Sequence, residues 1–458
     1  MLSASDNEML IRTNAGTPMG DYFRQYWVPV LLSREVPEPD SPPVRVRIMG
    51  EDLLAFRDSE GKVGLIEPRC PHRGANLFFG RNEKCGIRCS YHGWKFNTDG
   101  ECMDAPTINL DDNYEKIRSR IRILAYPVRE WGDFLWAYMG PKTDELPKLP
   151  MMEFALLPES HRFVSKKFQD CNWAQAAEGG LDTAHFSFLH IPIAESEEDF
   201  KAKTSRVTKG YSANSMGSDH IRWMVNDSRP RFTIAKHDVG LVLGASRHAD
   251  NGHLYWRIAQ FLLPNHGYTP SAAKGETYHG QTWVPIDDEK CWVYVYSWNP
   301  ERPLLPEEVE SYKRGAAVYA EVDEHYVPVR NRGNDYMIDR AVQKTENFTG
   351  IKGISEQDAC IQDSQGRIAD RTREILGPTD AGVVQFRRLM LEGARDLQKG
   401  KRPVPAVNAE GYRVRAGGVV APGTKNFREV MMDRFGDPYG RFNVELSEED
   451  IAALVRPH

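Results

Sequence analysis

Between Val44 and Ile66 the chain alternates apolar and polar positions. Val44-Arg45-Val46-Arg47-Ile48 is followed by apolar runs at 53–56 and 63–66, with turns at Gly50-Glu51-Asp52 and Ser59-Glu60-Gly61. A period of two broken by turn residues predicts short antiparallel strands and a small all-β domain. Runs at 126–130 and 134–138 complete it, and 141–150, bounded by prolines, reads as a linker. β-Branched and aromatic runs at 232–235, 241–245, 255–258 and 291–296 predict a second set of strands. Helices are expected over 306–319, within 358–375 and over 382–398. The fold class is therefore α+β, with an antiparallel sheet wrapped around a helix in its second part. The tail at 415–423 reads as loop, and 447–455 as a short capped helix. The implied division is an N-terminal segment (1–40), a β-domain (41–150), a second domain (151–415) on which that segment packs, and a C-terminal extension (416–458).

Two loops interrupt the first β-series: Cys70-Pro71-His72-Arg73-Gly74-Ala75 and Cys89-Ser90-Tyr91-His92-Gly93-Trp94, with sixteen residues between His72 and Cys89. A thiolate and an imidazole from each loop form the donor set of a Rieske [2Fe–2S] cluster, Cys70 and Cys89 holding one iron, His72 and His92 the other. Pro71 and the glycines suit tight loops whose amides approach the cluster sulfurs. Structural zinc also takes two cysteines and two histidines, but its ligands usually come as Cys pairs and His pairs. The chain is thus expected to handle single electrons.

A destination for those electrons is expected in Glu178-Gly179-Gly180-Leu181-Asp182-Thr183-Ala184-His185-Phe186-Ser187-Phe188-Leu189-His190. A non-haem Fe(II) oxygenase needs two histidines and a carboxylate on one face of the metal, the other being open to dioxygen and substrate. His185 and His190 are the candidate histidines. On a regular helix Asp182 and His185 would share a face, whereas His185 and His190 would stand roughly 140° apart. The helix is therefore expected to distort or end between them, with a π-bulge or frayed turn at 186–189 ahead of Pro192. Downstream carboxylates able to complete the set are Asp339, Glu346, Asp358 and Asp363.

With Cys-x-His…Cys-x2-His followed by Asp-x2-His-x4-His, the chain resembles the large (α) subunit of the Rieske non-haem iron aromatic-ring-hydroxylating oxygenases. Within that family it is most similar to the branch of phthalate and phenoxybenzoate dioxygenases. Softer similarity runs from Gly16-Thr17-Pro18-Met19-Gly20 through Tyr26-Trp27-Val28-Pro29 to about residue 400. The resemblance implies a helix-grip catalytic domain carrying a mononuclear Fe(II), and Asp358 as the third iron ligand, with Asp363 next in line. It implies that Asp182 bridges His92 of a neighbouring subunit to His185 of its own, and hence a homotrimer or a stacked hexamer. It further implies that O2 is a co-substrate and that an aromatic ring is hydroxylated or dihydroxylated. An aromatic carboxylate such as a phthalate-like compound is the expected substrate, with Arg247 and Arg206 as candidate carboxylate-binding residues. O-Demethylation of an aromatic ether, by monooxygenation, is the alternative reaction. Glu178 is either a helix support or a participant.

The 458 residues carry a formal charge of −6, which leaves no basic footprint for nucleic acid. No run approaches the roughly 18 apolar residues of a membrane span, and no signal region is visible, so a cytoplasmic location is expected. Cys85, Cys102, Cys171, Cys291 and Cys360 read as free thiols. Without a flavin or nicotinamide fingerprint, electrons must come from a separate NAD(P)H-dependent reductase carrying flavin and a plant-type [2Fe–2S] cluster, or from a ferredoxin. A Rieske electron carrier without oxygen chemistry is the alternative of another class. Some 300 residues beyond the cluster domain argue against it. So do Ala75 and Ser90, which stand where the extra cysteine pair of high-potential carriers would fall.

Overall fold

The structure is a computed structural model that describes residues 1–108, 113–143, 145–208, 219–270, 274–444 and 446–455, with the side chains of 204–208 and 448 outside that description. Alternation in the first part folds as expected. Val44–Ile48, Glu51–Arg57, Val63–Ile66 and Ala125–Tyr126 form one four-stranded antiparallel sheet. A second four-stranded ladder runs Arg81–Asn82, Ile87–Arg88, Lys95–Phe96, Cys102–Asp104. The two sheets share a core of Leu54, Phe56, Ile66, Leu77, Ile87 and Phe96 that also takes in Cys70 and Cys89. Trp27–Leu32 pairs with Phe134–Tyr138, while the helices Ala4–Ile11 and Pro18–Phe23 reach across to the long helix Ala381–Gln398.

The second part is built on an eight-stranded antiparallel sheet in the order Arg162–Gln169, Cys291–Trp298, Tyr278–Pro285, His266–Tyr268, His253–Leu262, Gly240–His248, Arg231–His237. The eighth strand, Gly417–Pro422, joins His253–Leu262 beside the short strand His266–Tyr268. The stretch read as loop at 415–423 is thus in part a strand. Gly417-Gly418 and Pro422 hide its alternation, and pairing with Trp256 and its neighbours imposes the extended form. One face of strand His253–Leu262 turns Trp256 and Ile258 toward Phe427 and Met431 of the helix Phe427–Phe435. Its other face sets Phe261 against Phe386 of the helix Ala381–Gln398, ring centroids 4.9 Å apart, and on that side of the sheet the helix Trp173–Leu181 packs on Tyr278–Pro285 and His266–Tyr268.

That gripped helix starts at Asn172, whose side chain accepts from the Ala174 amide, and seven of its nine residues are buried. It lies close to its neighbours because it carries no side chain at two contacts: a Cβ on Gly180 would fall 2.3 Å from the Trp283 ring, and one on Gly179 2.0 Å from Gln362. The helix does not continue through Asp182 and His185 to a bulge at 186–189, as the spacing suggested. It stops at Leu181. Two glycines weaken its last turn, and Asp182 turns its own carboxylate onto the Ala184 amide at 2.6 Å, replacing helical bonding with a local side-chain turn. His185–Ser187 is a separate 3-10 turn. Among the described residues no helix is long and apolar enough to cross a membrane.

Candidate redox and iron centres

The two Cys/His loops are built alike. In each, the cysteine amide donates to the carbonyl five residues on (Cys70 to Ala75, 2.9 Å; Cys89 to Trp94, 2.8 Å), and the glycine amide four residues on donates back to the cysteine carbonyl (Gly74, 2.8 Å; Gly93, 3.0 Å). Gly74 and Gly93 hold φ of +74° and +77°, a conformation that costs other residues free energy. The fold brings the loops together, with the His72 and His92 rings 4.4 Å apart and His72 stacked on Trp94. Burial pushes the Cys70 thiol up to about 11, the His72 backbone N–H donates to its sulfur, and the nearby Cys89 sulfur adds to the rise. His72 Nδ1 is buried without a hydrogen-bond partner. A buried ring nitrogen left unpaired is costly unless it has a ligand to bind. Two buried sulfurs, adjacent imidazoles and this nitrogen fit a [2Fe–2S] cluster.

Past Leu181 the chain folds back on itself, and Asp358 arrives from the helix Ile354–Ser364. His190 Nε2 lies 3.2 Å from His185 Nε2 and 3.1 Å from Asp358 Oδ1, with 3.5 Å between His185 Nε2 and Asp358 Oδ1. Neighbouring ligand atoms of one metal with bonds of about 2.0–2.2 Å have such spacing. Among the described residues this is the one group of three or more potential ligands so closely gathered. Both rings are oriented from behind. His185 Nδ1 faces Asp182 Oδ2 at 3.3 Å, and His190 Nδ1 donates to Gln357 Oε1 at 2.7 Å, leaving each Nε2 for a metal. Burial alone would push the Asp358 carboxyl up, but His190 and His185 outweigh it and hold it below its usual range. For Asp182, burial is likewise outweighed by His185. The donor set, two imidazoles and one carboxylate, fits Fe(II) with open positions.

The other candidates fall elsewhere. Asp363 is buried against the Tyr336 hydroxyl, which donates to it. Asp339 caps the helix Arg340–Thr345, and Glu346 is half-exposed beside Lys203. Glu178 is locked between Arg371 (2.9 Å) and Arg387 (2.7 Å), which makes it a structural support of the gripped helix. Arg247 is fully buried. Its Nε donates to the Asp227 carbonyl and its Nη2 to that of Thr183, while Nη1 has no partner. Arg206 belongs to the helix Glu197–Thr208, but its side chain lies outside the described residues. Sequence reasoning passed over Gln357, whose only signal is adjacency to Asp358, and Arg257, which carries no motif.

Residues 137–437 match the family described as LigXa C-terminal domain like, and residues 26–115 match the Rieske [2Fe-2S] domain. The 3-chlorobenzoate-3,4-dioxygenase oxygenase subunit of Comamonas testosteroni is 35% identical over 89% of this chain and 92% of its own length. The phthalate 4,5-dioxygenase oxygenase subunit of Pseudomonas putida is 37% identical over 88% and 89%. Among solved structures, a carbazole-bound oxygenase–ferredoxin complex of carbazole 1,9a-dioxygenase shares the fold, with a TM-score of 0.53 at 19% identity over 84% of this chain and 94% of that one. The chain belongs to the Rieske non-haem iron aromatic-ring-hydroxylating oxygenases, enzymes with a [2Fe–2S] cluster and a mononuclear iron, as an oxygenase (α) subunit.

Proposed function

We propose that this chain is the terminal oxygenase of an aromatic-carboxylate dioxygenase, with Cys70, His72, Cys89 and His92 holding the cluster and His185, His190 and Asp358 the iron. The observation that carries this reading is the triad of Nε2, Nε2 and Oδ1 atoms gathered within 3.5 Å in the same chain as the paired Cys/His loops. When bound, the cluster supplies single electrons and the ferrous ion supplies the centre at which dioxygen is activated for transfer to the ring. The protein's own part is to fix both imidazole tautomers through Asp182 and Gln357 and to keep the Asp358 carboxylate ionised. We assign 41–150 to the cluster unit and 151–415 to the iron unit, with 1–40 packing on the latter and 416–458 as a C-terminal extension.

The substrate class rests on charge. Arg247 Nη1 is buried without a partner, and Arg257, also buried, has no carboxylate partner among the described residues. An aromatic carboxylate entering beside them would meet positive charge in an apolar setting. The two relatives above are named for such compounds, chlorobenzoate and phthalate. Electrons are assigned to a separate reductase or ferredoxin. A bridge from Asp182 to His92 is assigned to neighbouring copies in a homotrimer, alone or stacked, since both side chains retain solvent access. The cytoplasm is the compartment in which seven unpaired cysteines persist. The test is a single turnover of chemically reduced protein with 18O2 and a panel of benzoate, chlorobenzoates and phthalates. Labelled, substrate-dependent ring hydroxylation is expected; release of peroxide with every member and no labelled product would sink the assignment.

A further inference from the structure

Arg247 and Arg257 lie on one face of the sheet. Arg247 pairs directly with Tyr255, and Arg257 follows two residues along the same strand, so both side chains leave the sheet on the side of the gripped helix. That face otherwise carries Leu243, Ala245, Ala259 and Phe261, all buried. Two guanidiniums at 0% and 7% exposure are expensive there without a counter-ion, and burial together with Arg257 pushes Arg247 down to about 10. What they hold is Thr183. Arg247 Nη2 donates to its carbonyl at 2.7 Å, and Arg257 Nε donates to its hydroxyl at 2.9 Å. Thr183 stands between Asp182 and His185 in the loop that replaces the helix, and is itself 7% exposed.

Arg257 grips the far side of His185 as well. Its guanidinium lies over the Phe186 ring at 4.8 Å, and that ring lies 4.9 Å from the His190 ring. We infer that Arg257 and Arg247 are positioning residues that clamp Thr183 to the sheet and thereby fix His185 and Asp182 for metal binding. A loop whose only helical bonding is the short turn at His185–Ser187 and its flanks gains from such outside anchors, because one turn fixes the backbone only locally. The inference rests on the reading of His185 as an iron ligand and adds to it a positioning role for two arginines that lie outside the His185, His190 and Asp358 set.

The test uses Thr183→Val, which removes the hydroxyl at nearly constant shape, Thr183→Ser, which keeps it, Arg257→Met, and the Thr183→Val/Arg257→Met double variant. Each full-length protein is compared by anaerobic Fe(II) affinity, by the EPR signal of its ferrous–nitric oxide complex, and by deuterium uptake of residues 182–190 before iron is added. Thr183→Val and Arg257→Met are expected to weaken Fe(II) binding about tenfold, to alter the nitrosyl signal and to raise exchange in 182–190. The double variant should be no worse than Arg257→Met alone, and Thr183→Ser should behave as wild type. Wild-type affinity, signal and exchange in Thr183→Val would overturn the clamp, as would losses that simply add. His185→Ala separates the two readings. Full iron retention there overturns the ligand assignment itself, whereas iron loss there beside an unaffected Thr183→Val overturns the clamp alone.

Discussion

His190 Nδ1 donates to Gln357 Oε1 at 2.7 Å, and Gln357 immediately precedes Asp358. One turn of one helix thus supplies both the carboxylate proposed as an iron ligand and the acceptor that sets the tautomer of the histidine proposed beside it. The Gln357 amide is held in turn, donating from Nε2 to the Ile351 carbonyl at 2.9 Å.

Gln357→Leu should leave the fold and the cluster intact while freeing the His190 ring. Fe(II) affinity is expected to fall by about 10–100-fold, the usual effect of losing such an outer partner. Anaerobic metal titration checks this; unchanged affinity would mean that the hydrogen bond does not orient the ligand.

Asp358 and Asp363 are five residues apart on one helix, yet they face different surroundings. Asp358→Asn should lose the mononuclear iron. Asp363→Asn should keep it, but destabilise the protein by about 1–3 kcal/mol, because the Tyr336 hydroxyl loses its carboxylate acceptor in a buried setting. Iron content and thermal unfolding of the two variants separate the roles; iron loss from Asp363→Asn alone would reverse them.

Much of this was legible in the chain. The 44–48 strand follows from strict alternation and those at 53–56 and 63–66 from short apolar runs between turns, while both candidate metal motifs stand out by residue type and spacing. The path after Leu181 was not legible, because helix periodicity says nothing about where Asp182 turns its carboxylate onto the Ala184 amide. Strand Arg162–Gln169 also escaped notice, since Lys166 and Lys167 sit at positions that burial would ordinarily reserve for apolar residues. The fold answers each of them: Lys166 reaches Glu35 at 2.7 Å, and Lys167 reaches Ser355 Oγ at 2.5 Å. Spacing left the four downstream carboxylates open and only resemblance pointed to Asp358; packing is what brings its Oδ1 within 3.5 Å of His185 Nε2.

Glu178 makes the stability of the gripped helix depend on pH. Burial pushes its carboxyl up, but Arg371 and Arg387 pull it further down, so its folded value lies below the unfolded one. Its contribution is therefore complete above the ordinary glutamate value of about 4.3 and is lost as pH falls through the lowered folded value. Glu178→Gln should cost about 3–5 kcal/mol at neutral pH by leaving two buried guanidiniums underpaired. It should also flatten the acid limb of a stability–pH curve measured by denaturant unfolding; an acid limb as steep as in wild type would remove Glu178 as its source.

His72 Nδ1 is the unpaired buried nitrogen of the first loop. His72→Ala should abolish the Rieske EPR signal and the acid-labile sulfide, while the mononuclear iron stays. Loss of both centres together would mean that the two sites are not independent in assembly.

The most direct test of the whole account is anaerobic iron and sulfide analysis with EPR on wild type and on His185→Ala/His190→Ala. Three irons and two sulfides per chain are expected, falling to two irons in the double variant with the Rieske signal unchanged. Two irons in both proteins after reconstitution would contradict it, leaving a cluster with no second iron centre in the 182–190 loop.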